Sequence, residues 1–188
     1  MRRSHSPLSS SLLQLVGVAV CFSGIFLSSQ TNHIQEAVSL LNQGDAARAE
    51  SQARLALTSP TTKPLALAML GTIRLQQAKY EQSVQYFNQA LALNPKLLGA
   101  RTSLGDAYIF VGKPALARKC FQEVLRQDPG NAMARFDLFK LEAAQRNFWQ
   151  SLEVGTPMMP QLLTSDEAIS ILASDYSALG QKDELASL

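Results

Sequence analysis

The sequence predicts an all-α fold of antiparallel helix hairpins, and three observations predict it. Slid along itself by 34 residues, the chain lays Leu70-Gly71 on Leu104-Gly105, Ser83 on Ala117, Phe87 on Phe121 and Pro95 on Pro129. Phe87 and Phe121 each lie four residues after a small partner, so the pair shares one helix face. Pro95 and Pro129 fall where a second helix must stop, and Pro114 suits the first turn of its own. A repeat of this length cannot bury its apolar face alone, so neighbouring copies must stack.

The elements follow in chain order. Arg2 and Arg3 are followed by no charged residue until Glu36, and Leu12 to Leu27 is almost wholly apolar, the layout of a secretory leader or signal anchor over 1–29. The apolar stretch of about 16 residues is shorter than the roughly 18 to 20 that span a bilayer, which points to cleavage. Leu27 stands where a processing site wants a small side chain, which points to retention as an anchor. Both outcomes stay open. Ser4, His5 and Ser6 after the arginines do not suit a twin-arginine signal, and Val20 before Cys21 does not suit a lipoprotein site.

Beyond the leader, the copy at 30–63 has a clear second helix through Ala49, Ala53 and Ala56, but Glu36-Ala37 replaces Leu-Gly in its first helix. The copies at 64–97 and 98–131 are the regular ones. Gly71 and Gly105 sit inside helical runs, where Gly costs about 1 kcal/mol relative to Ala, so a close helix approach is the expected compensation. In 132–165 the first helix reads through Leu138 and Leu141. The second is expected to run only from Phe148 to Val154 and then give way to a loop, because Gly155, Pro157 and Pro160 interrupt it. Thr164 and Glu167 have capping-box spacing ahead of the last copy, 166–188, where Leu172-Ala173, Tyr176 and Gly180 restore the frame.

The copy at 98–131 supplies Leu104, Gly105, Tyr108, Ala117, Phe121 and Pro129, and this pattern resembles the tetratricopeptide repeat. The resemblance covers Gln30 to Leu188 and is strongest over 64–131. It implies a right-handed α-solenoid of about four and a half hairpins.

Catalysis is not expected. His5 and His33 are the only histidines and His5 lies in the leader, so no histidine triad or HExxH zinc site can form. Cys21 and Cys120 offer neither a disulfide framework nor a thiolate zinc site, and no glycine-rich phosphate loop occurs. No cofactor or metal is therefore expected. Without Arg2 and Arg3 the body carries 15 basic and 15 acidic residues, which argues against a nucleic-acid partner. Lys182-Asp183-Glu184-Leu185 is not at the C-terminus and so is no retention signal.

The expected partner is a protein or peptide. The resemblance implies that the first helices line a concave groove, and helical spacing selects its strip: Ile34 and Val38, then Thr72, Leu75 and Gln76, then Thr102, Asp106, Ile109 and Phe110, then Phe136 and Lys140. Family members that hold chaperone C-termini use Lys, Arg and Asn there, whereas this strip is mostly apolar, which suits an apolar segment or amphipathic helix. The leading expectation is a non-catalytic scaffold, extracytoplasmic (secreted or periplasmic) or membrane-anchored through its N-terminal segment. The alternatives are the interaction region of a longer transferase or kinase, and a membrane-anchored assembly factor for a photosynthetic or respiratory complex. The stripe of Ile169, Leu172, Ala173 and Tyr176, with no complete closing helix after it, predicts self-association through the C-terminal end.

Overall fold

A computed structural model describes residues 32–188, and the segment read as a leader lies outside them. The described residues are helices joined by short connections. They form two compact units, the first ending at Ile73 and the second running from Arg74 to Leu188.

The first unit contains α1 (residues 32–42), α2 (Ala46–Ala56) and most of α3 (Lys63–Gln76). Its buried side chains are small on α2, where Ala49, Ala53 and Ala56 recur at helical spacing, and larger on α3, where Leu70 and Ile73 are fully buried. Asp45 caps α2 by accepting from the Arg48 amide at 3.0 Å. The buried Thr62 hydroxyl donates to the Ala56 carbonyl at 2.7 Å, closing the α2 terminus against the start of α3.

The second unit continues from the last turn of α3 through α4 (Tyr80–Leu93), α5 (Leu98–Phe110), α6 (Pro114–Gln127), α7 (Ala132–Ala144) and α8 (Phe148–Gly155). A 3₁₀ turn (Thr156–Met158), α9 (Met159–Leu162), α10 (Asp166–Leu179) and α11 (Lys182–Ala186) complete it. Each helix from α4 to α8 packs on the next, while α5 also touches α7 and α10 touches both α7 and α8. Gly105 explains the hairpin contact of α5 with α6. A Cβ there would lie 2.7 Å from the Phe121 Cζ, and Phe121 is fully buried among Ala117, Leu138 and Leu141.

The turns inside the hairpins show the same period in the backbone. Among the described residues, positive φ occurs at Gly44, Ala78, Gly112, Arg146 and Gly180, one every 34 residues. Gly meets this left-handed conformation without strain at three of the turns, whereas Ala78 (φ 56°) and Arg146 (φ 60°) adopt it at a cost.

A charged contact fastens α6 to α7. The Arg118 guanidinium binds both carboxylate oxygens of Glu142, one at 2.8 Å, and the Asn147 amide donates to the same carboxylate at 2.7 Å. Burial works to raise the Glu142 pKa, but the Arg118 and Asn147 hydrogen bonds hold it below the usual range.

Two expectations need correction near the C-terminus. The stretch after α8 is not a loop: Gly155 is helical, and Pro157 and Pro160 each sit in the first turn of a new helical segment, where their missing amides cost nothing. Met158 and Leu162 are thereby buried against Phe139 and Leu172, and a Cβ at Gly155 would lie 3.0 Å from both Leu162 and Phe139. Second, Ser165 rather than Thr164 caps α10, accepting from the Ala168 amide at 3.4 Å, while Thr164 donates back to the Gln161 carbonyl. In the α10 stripe Leu172 is fully buried and Ile169, Ala173 and Tyr176 are half-buried.

Candidate functional site: a groove along the first helices

Within the second unit the end of α3, α5 and α7 enclose a groove of about 510 Å³, lined by Leu75, Asp106, Ile109, Phe110, Asp137, Lys140, Leu141 and Ala144. Ile109 and Phe110 are large, apolar and 41% and 59% exposed. Phe110 is held in place by stacking on Tyr80, with ring centroids 4.6 Å apart and planes 8° from parallel. At Lys140 and Ala144 the groove meets a second recess of about 420 Å³ between α7 and α10, which reaches Glu167 and Asp175.

Of the strip read from the sequence, Leu75, Asp106, Ile109, Phe110 and Lys140 come together in this groove. Gln76 is exposed but is not among its lining residues. Thr102 is buried, its hydroxyl turned back to the Leu98 carbonyl at 3.2 Å, because its position faces into the helix packing. Phe136 is half-buried and packs toward the C-terminal core, stacked on Phe139 at 6.2 Å with the Lys140 ammonium 4.8 Å above its ring. In the first unit Ile34 is half-buried, Val38 is exposed, and Thr72 gives its hydroxyl to the Ala68 carbonyl.

The acidic residues of the groove were only partly visible in the sequence. Asp106 has its pKa pushed up to about 6, first by burial and then by Asp137, with Lys140 opposing. Asp137 is raised by burial while its ion pair with Lys140, 3.6 Å long, pulls it down. Asp175 was missed altogether. It is 1% exposed, neither carboxylate oxygen has a hydrogen-bond partner, and burial raises its pKa while the Ser151 hydroxyl pulls the other way. A usable signal existed, since the 34-residue shift lays Asp175 on Leu141 and Ala107, both apolar and buried. Among the described residues no group of His, Cys, Asp and Glu gathers as a metal site.

Comparison with known proteins agrees with this architecture. Residues 34–97 and 74–135 match models of the tetratricopeptide repeat. The chain is built on tetratricopeptide repeats. A chloroplastic tetratricopeptide repeat domain-containing protein of Arabidopsis thaliana, PYG7, is 36% identical over 66 residues, which are 35% of this chain. The chain spans only 22% of that relative's length. Among solved structures, PilF of Pseudomonas aeruginosa superimposes with a TM-score of 0.72 at 20% identity, covering 82% of this chain and 71% of PilF. The second tetratricopeptide domain of human RPAP3, solved with an HSP70 peptide, gives 0.55 at 25% identity over 61% of this chain and 97% of that domain.

Proposed function

We propose that this chain is a non-catalytic scaffold that holds an apolar segment or amphipathic helix of another polypeptide in the groove between Leu75, α5 and α7. The carrying observation is the exposed wall of Ile109 and Phe110 inside a concave, preformed recess. Apolar side chains left in water in such a recess mark a binding site, because a partner's side chains gain the burial that the fold does not supply. The RPAP3 domain supports the mode of binding through its peptide complex. The ligand chemistry differs here, because the groove offers one ammonium, already paired with Asp137, where a carboxylate clamp would need several cations.

Site-specific photocrosslinking tests the reading. A benzophenone amino acid at Ile109 or Phe110 should capture one discrete polypeptide, whereas the same probe at Leu93 or Met133, also exposed but outside the groove, should not. Equal capture from all four positions would refute the assignment.

The reading places the scaffold on the outer side of a membrane, secreted, periplasmic or held by its N-terminal segment, on the strength of the leader-like residues 1–29. Mass-spectrometric detection of a mature N-terminus near Gln30, or of the intact Arg2 segment in membranes, separates release from anchoring. A cytosolic chain with an intact leader would overturn both. A more specific version is a membrane-anchored assembly factor for a photosynthetic or respiratory complex, and the chloroplastic location of the relative suits the photosynthetic case. Co-migration with such a complex or its assembly intermediates on native gels tests that version.

A further inference from the structure

We propose that the segment bound in this groove is cationic as well as apolar, and that a Lys or Arg head group of the partner is received by Asp175 in the recess between α7 and α10. The proposal deepens the groove reading and rests on it.

One position does not fit the fold. The three copies before it use the place of Asp175 for packing: Ile73, Ala107 and Leu141 stand there, at 0%, 0% and 4% exposure. Asp175 is equally buried, at 1%, yet both of its carboxylate oxygens lack hydrogen-bond partners. The Ser151 hydroxyl lies near enough to pull the Asp175 pKa down, but its resolved hydrogen bond, 3.2 Å long, is to the Phe139 carbonyl. A buried carboxylate without partners is expensive, and packing would be served better by the Leu or Ala of the other copies. The residue borders the recess that adjoins the groove, so its carboxylate, closed to solvent as it stands, meets a donor entering from that side once the side chain turns toward it.

The surrounding charge selects the sign of that donor. Asp106, Asp137, Glu167 and Asp175 line the two adjoining recesses against a single cation, Lys140. Lys140 is already engaged by the Asp137 carboxylate at 3.6 Å and the Phe136 ring at 4.8 Å. An incoming carboxylate would meet repulsion, and a neutral apolar segment would leave Asp175 unmatched. A basic side chain forms charge-assisted hydrogen bonds with it in a site that is largely shielded from water.

The test selects a phage-displayed library of random 12-residue peptides on the immobilised full chain, in parallel on wild type, Asp175→Asn and Asp175→Leu. Affinities of single peptides are then read by fluorescence anisotropy. Wild type should enrich peptides that combine apolar residues with Lys or Arg and deplete Asp and Glu. Replacing the basic residue of a selected peptide by Gln should weaken binding to wild type by about tenfold and binding to either variant by less than about twofold, in line with one charge-assisted contact. Apolar peptides without a basic preference, or a Gln penalty that persists in the variants, would overturn this proposal and leave the groove reading standing. No enrichment on wild type would overturn both. Asp175→Leu restores the residue type of Leu141, so it keeps the comparison available if Asp175→Asn folds poorly.

Discussion

Two glycines on one helix should respond to the same substitution with opposite signs. Gly99 and Gly105 both lie in α5, and replacing either by Ala gains helix propensity, up to about 1 kcal/mol at an interior position and less in the first turn. At Gly99 nothing lies within 4 Å of the added Cβ, so Gly99→Ala should stabilise. At Gly105 the Cβ would stand 2.7 Å from the Phe121 Cζ, where carbon atoms normally keep about 3.5 to 4.0 Å. Phe121 must give roughly 1 Å, and it is fully buried against Ala117, Leu138 and Leu141. Overpacking of this kind costs about 1 to 3 kcal/mol, which exceeds the propensity gain, so Gly105→Ala should destabilise by up to about 2 kcal/mol. Gly105→Leu should cost more. Thermal and urea melts followed by circular dichroism read the difference, since 1 kcal/mol moves Tm by about 2 to 4 °C in a chain of this size. Adding Phe121→Leu should recover part of the Gly105→Ala loss, a coupling of about 1 kcal/mol between residues in contact. If Gly99→Ala and Gly105→Ala shift Tm in the same direction, or if the double variant is additive, the close approach of α5 and α6 is wrong.

Three further outcomes follow from the described contacts. Ala78→Gly should raise stability by about 1 kcal/mol in urea titration, because Ala at φ 56° carries a strain that Gly does not. Arg118→Ala should cost about 2 to 4 kcal/mol, since it leaves the buried Glu142 carboxylate with Asn147 alone, and a loss under 0.5 kcal/mol would show the pair to be incidental. Asp106→Asn should change the pH dependence of Tm. With a folded pKa of about 6 against 3.8 unfolded, protonated Asp106 favours the fold fully below about pH 4, and that advantage is lost as pH rises through 6, so the variant should gain on wild type between pH 4 and 7.

The regular repeats were legible because their chemistry is redundant. Gly105 reads from the sequence as a site of close helix approach and Phe121 as part of a packing face, and the structure places one against the other. The groove strip was legible where helical spacing decides exposure, as at Ile109 and Phe110. It failed at Thr102, because a residue one position nearer the packing face is buried, and at Phe136, which the C-terminal core attracts. The region after Val154 was misread for a physical reason: Gly and Pro break a continuing helix, but they also begin new turns and admit close neighbours. Only the tertiary positions of Phe139 and Leu162 decide between those uses.

Asp175 was the hardest residue to read and is the most informative once placed. Sequence patterning finds residues that agree with the fold, and a carboxylate in a repeat's packing position disagrees with it at every level. The fold answers a buried charge elsewhere by pairing it, as Arg118 and Asn147 do for Glu142 at 4% exposure. Glu142 and Asp175 are therefore similarly buried acids treated in opposite ways, one satisfied within the chain and one left without a partner beside a recess. Stability alone would favour an apolar side chain at Asp175, as at Leu141, so an acid there makes sense where a partner completes what the chain leaves unpaired.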